Sequence, residues 1–516
     1  MSTGETHYGS VSAMVRHWAA ERAESVAIDV VGGRRHTFDS LYRRSVRLAN
    51  GLTERAVGSG DIVGFLGRDA ALWSEVLAGA SLIRAAGLPL NWRLSRREMD
   101  AIVADSGVVA IVVEPDFLPL LGFDDPGDGR VRLVVGTEVT EYDTWIETCA
   151  ATEPTATPQD DDVTIVIYTS GTSGHPKGVE LANRSLAANL TTPAPWDIRA
   201  GDVVMVPAPL FHVSGTGWVF YCLGLGATAR FLTEIDPVAV LDAFASGEVD
   251  HALTVPAIVA MMVNHPVARE RSYPELRTLI YGGSPMSPAV AHTAMEVFGC
   301  DLVQSYGMTE TCGPITFLTP DDHRRDGAIL ASAGRPAEGV EVAVFDPIDQ
   351  TPCAPGVTGE VWTRSSLIMA GYHGQPDELA AVLRSDGWFR TGDAGYFDEA
   401  GYLYLCDRVK DMIVSGGENV YPVEVENVLM EHPDLSDAAV IGVPHEKWGE
   451  TVLAFVVAEQ PVDSAEIIDF CRDRLAHYKC PTRVEVVTEL PRNPSGKILK
   501  RELRKPFWAD RTRGIA

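Results

Sequence analysis

One stretch of eleven residues constrains this 516-residue chain more than any other. It reads YTSGTSGHPKG from Tyr168 to Gly178 and follows the apolar, β-branched run VTIVI at 163–167, which predicts a buried strand. Its three glycines let the backbone bend tightly and direct N–H groups onto an anion, while hydroxyls and Lys177 add donors. The stretch therefore predicts a phosphate-binding loop. Gly178 follows the lysine where a Walker A motif needs Ser or Thr, so the loop is of another kind.

A second motif, DLVQSYGMTE at 301–310, joins three kinds of side chain that suit a nucleotide. Tyr306 can stack on a base, Thr309 offers a hydroxyl and Glu310 offers a carboxylate. Hard carboxylate oxygens bind Mg²⁺, which bridges phosphate oxygens and neutralises developing charge. The motif predicts a nucleotide site with a metal at Glu310.

Four further motifs carry similar chemistry, although each alone is typical of a turn, a cap or a solvated linker. They are LIYGGSPM at 279–286, GWFRTGD at 387–393, DRVKD at 407–411 and PRNPSGKILK at 491–500. A glycine pair lets the backbone lie against a planar ligand, and an aspartate can hold the ribose hydroxyls. Lys497, on a glycine loop, offers a positive charge.

Together these motifs resemble those of the adenylate-forming superfamily, which contains acyl- and aryl-CoA synthetases, luciferases and nonribosomal-peptide adenylation domains. The resemblance extends from about Val26 to Arg501. SGGENVYP at 415–422, EKWGE at 446–450 and PRNPSGKILK are most similar to medium- and long-chain fatty-acyl-CoA ligases. The resemblance implies an enzyme that uses ATP, Mg²⁺ and CoA on a carboxylic acid.

The resemblance assigns roles to individual residues of the nucleotide site. It implies that Tyr306 stacks on adenine, Thr309 contacts the α-phosphate, and Glu310 holds the metal together with Thr172. It implies a catalytic group of Lys497, Thr309, Glu310 and His212. The full set of implied ATP contacts is Thr169, Ser170, Gly171, Thr172, Ser173, Gly174, Lys177, Gly282, Gly283, Ser284, Gln304, Ser305, Tyr306, Gly307, Met308, Thr309, Asp393, Arg408 and Lys497.

The same resemblance implies two further subsites, for CoA and for the acyl chain. His212 is interpreted as a pocket gate and not as a general base; core packing is an equal alternative for Trp218 and Tyr221. Cys480 stands where some relatives have a basic residue, which weakens one expected phosphate contact. The implied CoA contacts are Arg93, Ser415, Gly416, Gly417, Trp448 and Tyr478. The implied acyl pocket consists of His212, Val213, Trp218, Tyr221, Gly283 and Cys312.

Strand and helix patterns alternate along the first part of the chain, which predicts a mostly parallel sheet covered by helices. The expected fold class is α/β, with a smaller β-rich subdomain and a small mobile α+β domain at the C-terminal end. We predict a large domain over 1–408 and a small one over 409–516, with the hinge at Lys410. Predicted strands lie at 26–30, 62–66, 87–90 and 108–113, and predicted helices at 11–24, 38–52, 70–84 and 96–105.

Composition excludes several classes of protein. The net charge of −28 argues against nucleic acid or an anionic membrane as the main partner. No apolar run reaches the roughly 20 residues that span a bilayer, and the polar start of the chain is unlike a signal peptide. Eight scattered cysteines without metal-ligand spacing indicate free thiols, so we expect a cytoplasmic protein. A weak peripheral membrane contact and a homodimer stay open.

The expected reaction is attack of a carboxylate on the α-phosphate of ATP, followed by transfer of the acyl group from AMP to a thiol. Hinge rotation at Lys410 would exchange the two faces that the small domain presents in the two half-reactions. Three alternatives stay open: an aryl-CoA ligase, an acyl-AMP ligase that supplies a carrier protein, and a nonenzymatic nucleotide-binding regulator. Acyl-AMP ligases have an insertion before the hinge. Only 22 residues separate Arg335 from Thr358, which leaves little room for such an insertion.

Overall fold

The computed structural model describes residues 9–122, 131–134, 141–169, 176–232, 236–284, 286–325, 327–408, 411–415, 418–420, 422–445, 448–458, 460–492 and 498–508. Contacts divide the chain into two compact units. The first is Met1–Glu341 with Arg364–Phe389, and the second is Val342–Thr363 with Arg390–Ala516. The domain boundary at residue 408 and the hinge at Lys410, which lies outside the described residues, stay predictions.

The first unit contains a nine-stranded sheet in which the central strands are parallel. Its order is β15-β14-β13-β12-β11-β9-β10-β1-β2. Strands β14, β15 and β2 are antiparallel to their neighbours at the two edges. The strands are β1 (Val26–Val30), β2 (Arg35–Thr37), β9 (Val203–Met205), β10 (Thr228–Phe231), β11 (His251–Thr254), β12 (Thr278–Gly282), β13 (Asp301–Met308), β14 (Gly313–Leu318) and β15 (Arg335–Pro336).

A seven-stranded sheet forms the other half of this unit, in the order β18-β8-β7-β4-β3-β5-β6. Strands from β7 to β6 are parallel, and β8 and β18 continue the sheet in antiparallel fashion. The strands are β3 (Ile62–Leu66), β4 (Ala86–Pro89), β5 (Ala110–Val113), β6 (Val131–Val134), β7 (Val163–Thr169), β8 (Lys177–Ala182) and β18 (Gly371–Tyr372). The parallel pairing confirms the predicted α/β class.

Helices of the first unit connect and cover these strands. They are α1 (Val11–Glu21), α2 (Phe38–Thr53), α3 (Ala70–Leu82), α4 (Arg96–Ser106), α5 (Glu141–Thr148), α6 (Asn183–Thr191), α7 (Val213–Leu225), α8 (Pro237–Ala245), α9 (Pro256–Asn264), α10 (Pro288–Phe298), α11 (Pro320–His323) and α12 (Pro376–Val382). Within the described part of the chain, no helix is long and apolar enough to cross a membrane.

The second unit consists largely of two smaller sheets. The four-stranded sheet has the order β16-β17-β19-β20, and the five-stranded sheet has the order β22-β21-β24-β23 with β25 beside β24. The strands are β16 (Glu341–Phe345), β17 (Gly359–Arg364), β19 (Phe389–Phe397), β20 (Leu403–Arg408), β21 (Ile413–Ser415), β22 (Glu418–Val420), β23 (Leu435–His445), β24 (Gly449–Ala458) and β25 (Arg483–Val486). Its helices are α13 (Pro422–Leu429), α14 (Ser464–Arg472) and α15 (Lys500–Trp508).

Most predicted elements lie within a few residues of the observed ones. Strand β9 ends at Met205, because Pro207 and Pro209 have no N–H to donate to a sheet. Helix α10 begins at Pro288, after the turn that follows β12. Ser287 caps it by accepting a hydrogen bond from the backbone of Val290.

Helix α3 lies between the two sheets of the first unit and sets their packing. It contacts β1 of the nine-stranded sheet and β3, β4 and β7 of the seven-stranded sheet. All 13 of its residues are buried, as expected for a helix that is apolar on every side. The exception to that apolar character is Glu75, whose side chain is fully enclosed.

Glu75 is stabilised by a ring of polar partners from three other elements. His36 Nε2 and Arg44 Nε lie 2.7 and 2.6 Å from Glu75 Oε1, and the Tyr142 hydroxyl donates to Oε2 at 2.8 Å. Burial opposes ionisation of Glu75, but His36 and Arg44 outweigh it and keep the pKa of this carboxyl below its usual range. The buried charge thereby joins β2, α2 and α5 to α3.

We expect Glu75→Ala to destabilise the first unit by about 3 kcal/mol, because it leaves the buried Tyr142 hydroxyl and His36 without their carboxylate partner and Arg44 with Asp143 alone. Urea titration monitored by circular dichroism would measure this loss. Folding lowers the pKa of Glu75. The free energy by which its ionised carboxylate stabilises the fold is therefore fully present at pH values above the ordinary carboxyl pKa and is lost as the pH falls through the folded pKa. The difference in the free energy of unfolding between the parent and Glu75→Ala should therefore become smaller at acid pH. The exposed capping residue Glu98 provides a control, because Glu98→Ala should cost only about 1 kcal/mol.

Candidate active site

The predicted phosphate loop connects β7 to β8, and its two flanks form a regular hairpin. Thr169 and Lys177 are direct partners across the antiparallel pair. The tip of the loop, with Ser170, Gly171, Thr172, Ser173 and Gly174, lies outside the described residues. The hairpin register therefore fixes where the loop begins and where its lysine emerges.

Lys177 meets two side chains of the first unit. Its Nζ lies 2.5 Å from Glu378 Oε2 and 4.8 Å from the centre of the Tyr372 ring. The Tyr372 hydroxyl in turn donates to Glu310 Oε1 at 3.1 Å. Burial, together with the nearby carboxylates of Glu310 and Glu378, raises the pKa of Tyr372. Lys177 and Glu310, which are far apart in sequence, thus contact the same tyrosine.

Thr309 and Glu310 lie in one tight turn, Thr309–Thr311, at the end of β13. The Thr311 hydroxyl accepts from the Met308 N–H at 3.0 Å and lies 2.7 Å from the Gly313 carbonyl, to which it donates. The Met369 N–H donates to the Glu310 carbonyl at 2.9 Å. Backbone and side chain of Glu310 are therefore both held, and the carboxylate is largely buried. Such a preorganised oxygen donor suits Mg²⁺, which commonly takes one or two protein carboxylates and completes its shell with phosphate oxygens.

The residues predicted to surround adenine lie at the carboxyl ends of β12 and β13. These strands are parallel, with Gly282 opposite Ser305. A Cβ atom at Gly282 would come within 2.6 Å of the Ser305 carbonyl oxygen, so the position requires glycine. Gln304 is buried and accepts from the Tyr281 hydroxyl at 3.4 Å, whereas Ser284 is exposed and Tyr306 is half-buried. Ligands of open α/β sheets bind at this end of the strands.

Gly307 and Met308 complete the same edge of the sheet. A bulge separates Tyr306 from Gly307 where β13 pairs with β14. A Cβ atom at Gly307 would lie 2.1 Å from the Gly313 carbonyl oxygen, so the close pairing needs glycine there. Bulges of this kind re-aim neighbouring side chains and are common beside active sites.

Of the predicted acyl-pocket residues, Tyr221 lines a small aromatic cavity and Trp218 packs against its wall. Trp218 and Tyr221 of α7 pack against Trp196, with ring centres 5.3 and 5.8 Å away, and Trp196 Nε1 donates to the Tyr221 hydroxyl at 3.0 Å. The cavity has room for about one water molecule. Its lining is Asn189, Thr192, Ala194, Trp196, Tyr221, Pro314, Phe317 and Leu367. The buried Cys312 belongs to the same region, since Asn189 donates to its carbonyl.

His212 and Arg93 lie near each other. The His212 ring is 4.7 Å from that of Phe211, and the Arg93 guanidinium is 4.9 Å from the Trp92 ring centre and 5.7 Å from that of Phe211. Burial, reinforced by Arg93, lowers the pKa of His212 to about 4. The residue is exposed at the surface of the first unit. A pKa this low makes the imidazole a weak base, which agrees with the interpretation of His212 as a gate and not as a general base. Val213 begins α7 directly after it.

The two residues predicted to bind ribose are neighbours in the second unit. Asp393 of β19 and Arg408 of β20 are direct partners in an antiparallel pair. The backbone N–H of Asp393 donates to the Thr391 hydroxyl at 3.1 Å. Two positions 15 residues apart in sequence are thus brought to one place.

Three of the predicted CoA contacts, Ser415, Trp448 and Tyr478, lie on neighbouring elements of the second unit, whereas Arg93 belongs to the first. Ser415 of β21 pairs with Gly449, the residue after Trp448, and the turn that contains Tyr478 contacts β22. The Trp448 side chain stacks on His445, with ring centres 4.5 Å apart. Trp448 and Tyr478 are 40% and 43% exposed, which leaves apolar surface for a ligand. Gly416, Gly417 and Lys497 lie outside the described residues.

Cys480 packs in the core of the second unit. It is buried, and its Sγ lies 3.5 Å from the Ala476 carbonyl oxygen. Burial raises the pKa of this thiol, so it stays neutral. The position supplies packing in place of the basic contact found in some relatives.

Comparison with known proteins identifies the family. The model of the AMP-binding enzyme family matches residues 15–373, and that of the AMP-binding enzyme C-terminal domain matches residues 424–497. The chain belongs to the AMP-binding enzyme family. The predicted adenylate-forming superfamily and the prediction of an AMP-forming ligase of the acyl-CoA synthetase type are thereby confirmed.

Two curated relatives and one solved structure illustrate the range of this family. A fatty acid--[acyl-carrier-protein] ligase of Streptomyces coeruleorubidus is 37% identical over 94% of both chains. A long-chain-fatty-acid--CoA ligase of Mycobacterium tuberculosis is 35% identical over 92% of this chain and 94% of its own. The O-succinylbenzoate coenzyme A synthetase of Bacillus subtilis in complex with ATP and magnesium ion is 29% identical, with a TM-score of 0.81 over 95% of this chain and 98% of its own.

In this AMP-binding enzyme, several residues beside the predicted site were not found by sequence reasoning. Thr311 could have been found from the sequence, because threonine hydroxyls commonly bond to the backbone of a nearby residue in a turn, as Thr311 does with the Met308 N–H. Asn189, Trp196, Tyr372 and Glu378 have none, since each reaches the site from an element distant in sequence. Only the folded chain shows that they belong there.

We expect Glu310→Gln to slow adenylation and to weaken its dependence on Mg²⁺, because an amide oxygen has lost the negative charge that attracts the cation. Initial rates of pyrophosphate release across a magnesium titration would measure both effects. Glu270, an exposed acid elsewhere in the same unit, provides the control. An unchanged magnesium titration for Glu310→Gln would contradict the metal assignment.

Proposed function

We propose that this enzyme joins a fatty acid to the thiol of coenzyme A at the expense of ATP, through an acyl-AMP intermediate. The observation that carries the proposal is the convergence of Lys177 and Glu310 on Tyr372. This contact brings a lysine from the predicted phosphate hairpin near a buried carboxylate of the predicted metal motif. A polyphosphate needs both a cation from the protein and a metal ligand nearby.

In the first half-reaction, a carboxylate oxygen of the acid forms a bond to the α-phosphorus of ATP. The bond from that phosphorus to the bridging oxygen breaks, and pyrophosphate leaves with the electron pair. Lys177 and Lys497 supply positive charge, and Thr309 supplies a hydroxyl donor. Glu310 and Thr172 would hold Mg²⁺, which when bound neutralises charge on the phosphates. Asp393 and Arg408 orient the ribose, and Tyr306 the adenine.

In the second half-reaction, the thiol loses its proton to solvent and its sulfur forms a bond to the acyl carbon of acyl-AMP, while the bond from that carbon to the phosphate oxygen breaks and AMP leaves with the electron pair. The exposed side chains of Trp448 and Tyr478, beside the buried Ser415, are a suitable surface for the pantetheine arm, and Arg93 for a phosphate of CoA. We propose that rotation at Lys410 exchanges Lys497 for this surface between the two steps. Domains over 1–408 and 409–516 would be the moving parts.

The proposed acid is a fatty acid, for which the Mycobacterium tuberculosis relative is named. The aromatic cavity beside Cys312 supports an apolar tail, because its walls contain three aromatic rings and little charge. Its free volume is that of about one water molecule, so one of these rings must move before an acyl chain can enter. An aryl acid is the alternative that the same rings would accept.

A second acceptor is favoured by one observation. The relative from Streptomyces coeruleorubidus, similar along 94% of the chain, is named for transfer to an acyl carrier protein. A carrier protein presents the same phosphopantetheine thiol as CoA but lacks its nucleotide.

We place the enzyme in the cytoplasm and propose a homodimer, which light scattering would test.

A panel of acids from acetate to palmitate, with benzoate, would test the proposal when release of pyrophosphate and AMP is followed with and without a thiol. Acid-dependent pyrophosphate release is expected, together with consumption of CoA. Consumption of a holo-carrier protein but not of CoA would identify the second acceptor. Failure of every acid to release pyrophosphate would leave a nucleotide-binding regulator as the better interpretation.

We expect Lys497→Ala to slow acyl-AMP formation by about 10²–10³, because a preorganised charge at the transition state is lost. With synthetic acyl-AMP and CoA, the same variant should form acyl-CoA at nearly the parent rate, since the lysine acts only in the first step. Single-turnover assays of each half-reaction would measure this split. The exposed Arg501 serves as the control through Arg501→Ala. Equal losses in both half-reactions would contradict domain alternation.

We expect Trp196→Leu to shift the preferred acid toward longer chains, because it removes a large ring from the wall of the aromatic cavity and thereby enlarges it. Each added methylene is worth roughly 1–3 kcal/mol of discrimination, so kcat/KM for the longer acids should rise by at least several-fold. The buried Trp73, enclosed in α3 away from this cavity, provides the control through Trp73→Leu. An unchanged chain-length profile would contradict the placement of the acyl tail.

A further inference from the structure

Glu378 is a carboxylate that neither the sequence motifs nor the proposed chemistry uses. It lies in the first turn of α12, and its Oε2 is 2.5 Å from Lys177 Nζ. The Lys177 side chain is 12% exposed, whereas that of Glu378 is 46% exposed. The pair therefore joins a largely enclosed cation to an acid that has room to move into solvent.

The sheet fixes the lysine while leaving the acid adjustable. Strand β18 places Tyr372 opposite Val179 of β8, and side chains two residues apart on a strand share a face. Lys177 therefore lies on the same face as Tyr372, diagonally across the pair. Its ammonium group lies 4.8 Å from the ring centre, whereas Glu378 reaches it from a separate helix.

A polyphosphate and Glu378 would compete for this ammonium group. A phosphate oxygen on Lys177 brings negative charge close to the Glu378 carboxylate, and like charges at such separations repel. Glu310, on the other side of Tyr372, adds a second carboxylate to the same surroundings. Outward rotation of the half-exposed Glu378 side chain would remove this repulsion. It would cost little free energy, because an ion pair with one exposed member is weak.

We propose that Glu378 is a resident counter-ion of Lys177, which the polyphosphate of ATP displaces and which competes with pyrophosphate for the lysine after adenylation. The inference rests on the proposed function, because it takes the displacing anion to be ATP or its product. Glu378 neutralises the lysine in the empty enzyme and disfavours retention of pyrophosphate.

The matched control lies one residue away. Asp377 occupies the same first turn of α12, and its substitution removes the same unit of charge. No ion pair of Asp377 is found among the described residues. A general change in the local field would therefore affect Asp377→Asn and Glu378→Gln alike, whereas displacement of a counter-ion would affect only the second.

Calorimetric titration of ATP and, separately, of pyrophosphate, without any acid substrate, would test the inference. Glu378→Gln should bind both ligands about two- to fivefold more tightly than the parent, the range expected for loss of one partly exposed ion pair. In steady state it should lower KM for ATP and strengthen inhibition by pyrophosphate. Asp377→Asn should match the parent in each measurement, and thermal melting would confirm that both variants are folded.

A Lys177→Met background completes the test. There, adding Glu378→Gln should change ATP binding by less than about 1.5-fold, because the lysine for which the anions compete is gone. Weaker ATP binding by Glu378→Gln alone would show that the acid positions the lysine, and equal effects of Asp377→Asn would show a general field; either result overturns the inference. A parent enzyme that binds neither ligand would overturn the proposed function itself, whereas unchanged binding by the variant would overturn only this inference.

Discussion

The hydrogen bond from Tyr372 to Glu310 is the contact on which the candidate site depends. Tyr372 belongs to β18 of the seven-stranded sheet, whereas Glu310 follows β13 of the nine-stranded sheet. With the bond from the Met369 N–H to the Glu310 carbonyl, this contact joins the edge strand of the seven-stranded sheet to the turn that follows β13, an inner strand of the nine-stranded sheet. Because Lys177 packs on the same ring, the predicted phosphate hairpin and the predicted metal motif are brought into one place.

Charges inside the first unit are enclosed only where partners neutralise them. Glu75 in α3 has His36, Arg44 and Tyr142, and Lys177 has Glu378 and the Tyr372 ring. Desolvation of an unpaired charge would cost several kcal/mol. Glu75 and Lys177 can therefore be buried only because these partners are present. The two differ in what they permit. The Glu75 carboxylate is fully enclosed, whereas the Glu378 side chain is 46% exposed and has room to turn away from its lysine.

Apolar packing shapes the substrate side of the same unit. Trp196, Trp218, Tyr221 and Phe317 pack with ring centres 5.2–5.8 Å apart, in the edge-on and tilted arrangements that aromatic rings prefer. The Trp196–Tyr221 hydrogen bond satisfies two polar atoms that burial would otherwise leave unpaired. The cavity is thus nearly filled by its own side chains, and under the proposed function the choice of acid would depend on which ring can move.

The sequence by itself determined the family, the α/β class and most elements, because alternation of apolar strands and amphipathic helices is a local pattern. It also marked Lys177, Tyr306, Glu310 and Asp393, since the glycines and hydroxyls around them form compact motifs. Tertiary structure alone decided that Tyr372, Glu378, Asn189 and Trp196 join these residues. Each arrives from a distant element, and contacts between distant elements depend on sheet order and packing, which no local pattern of residues encodes.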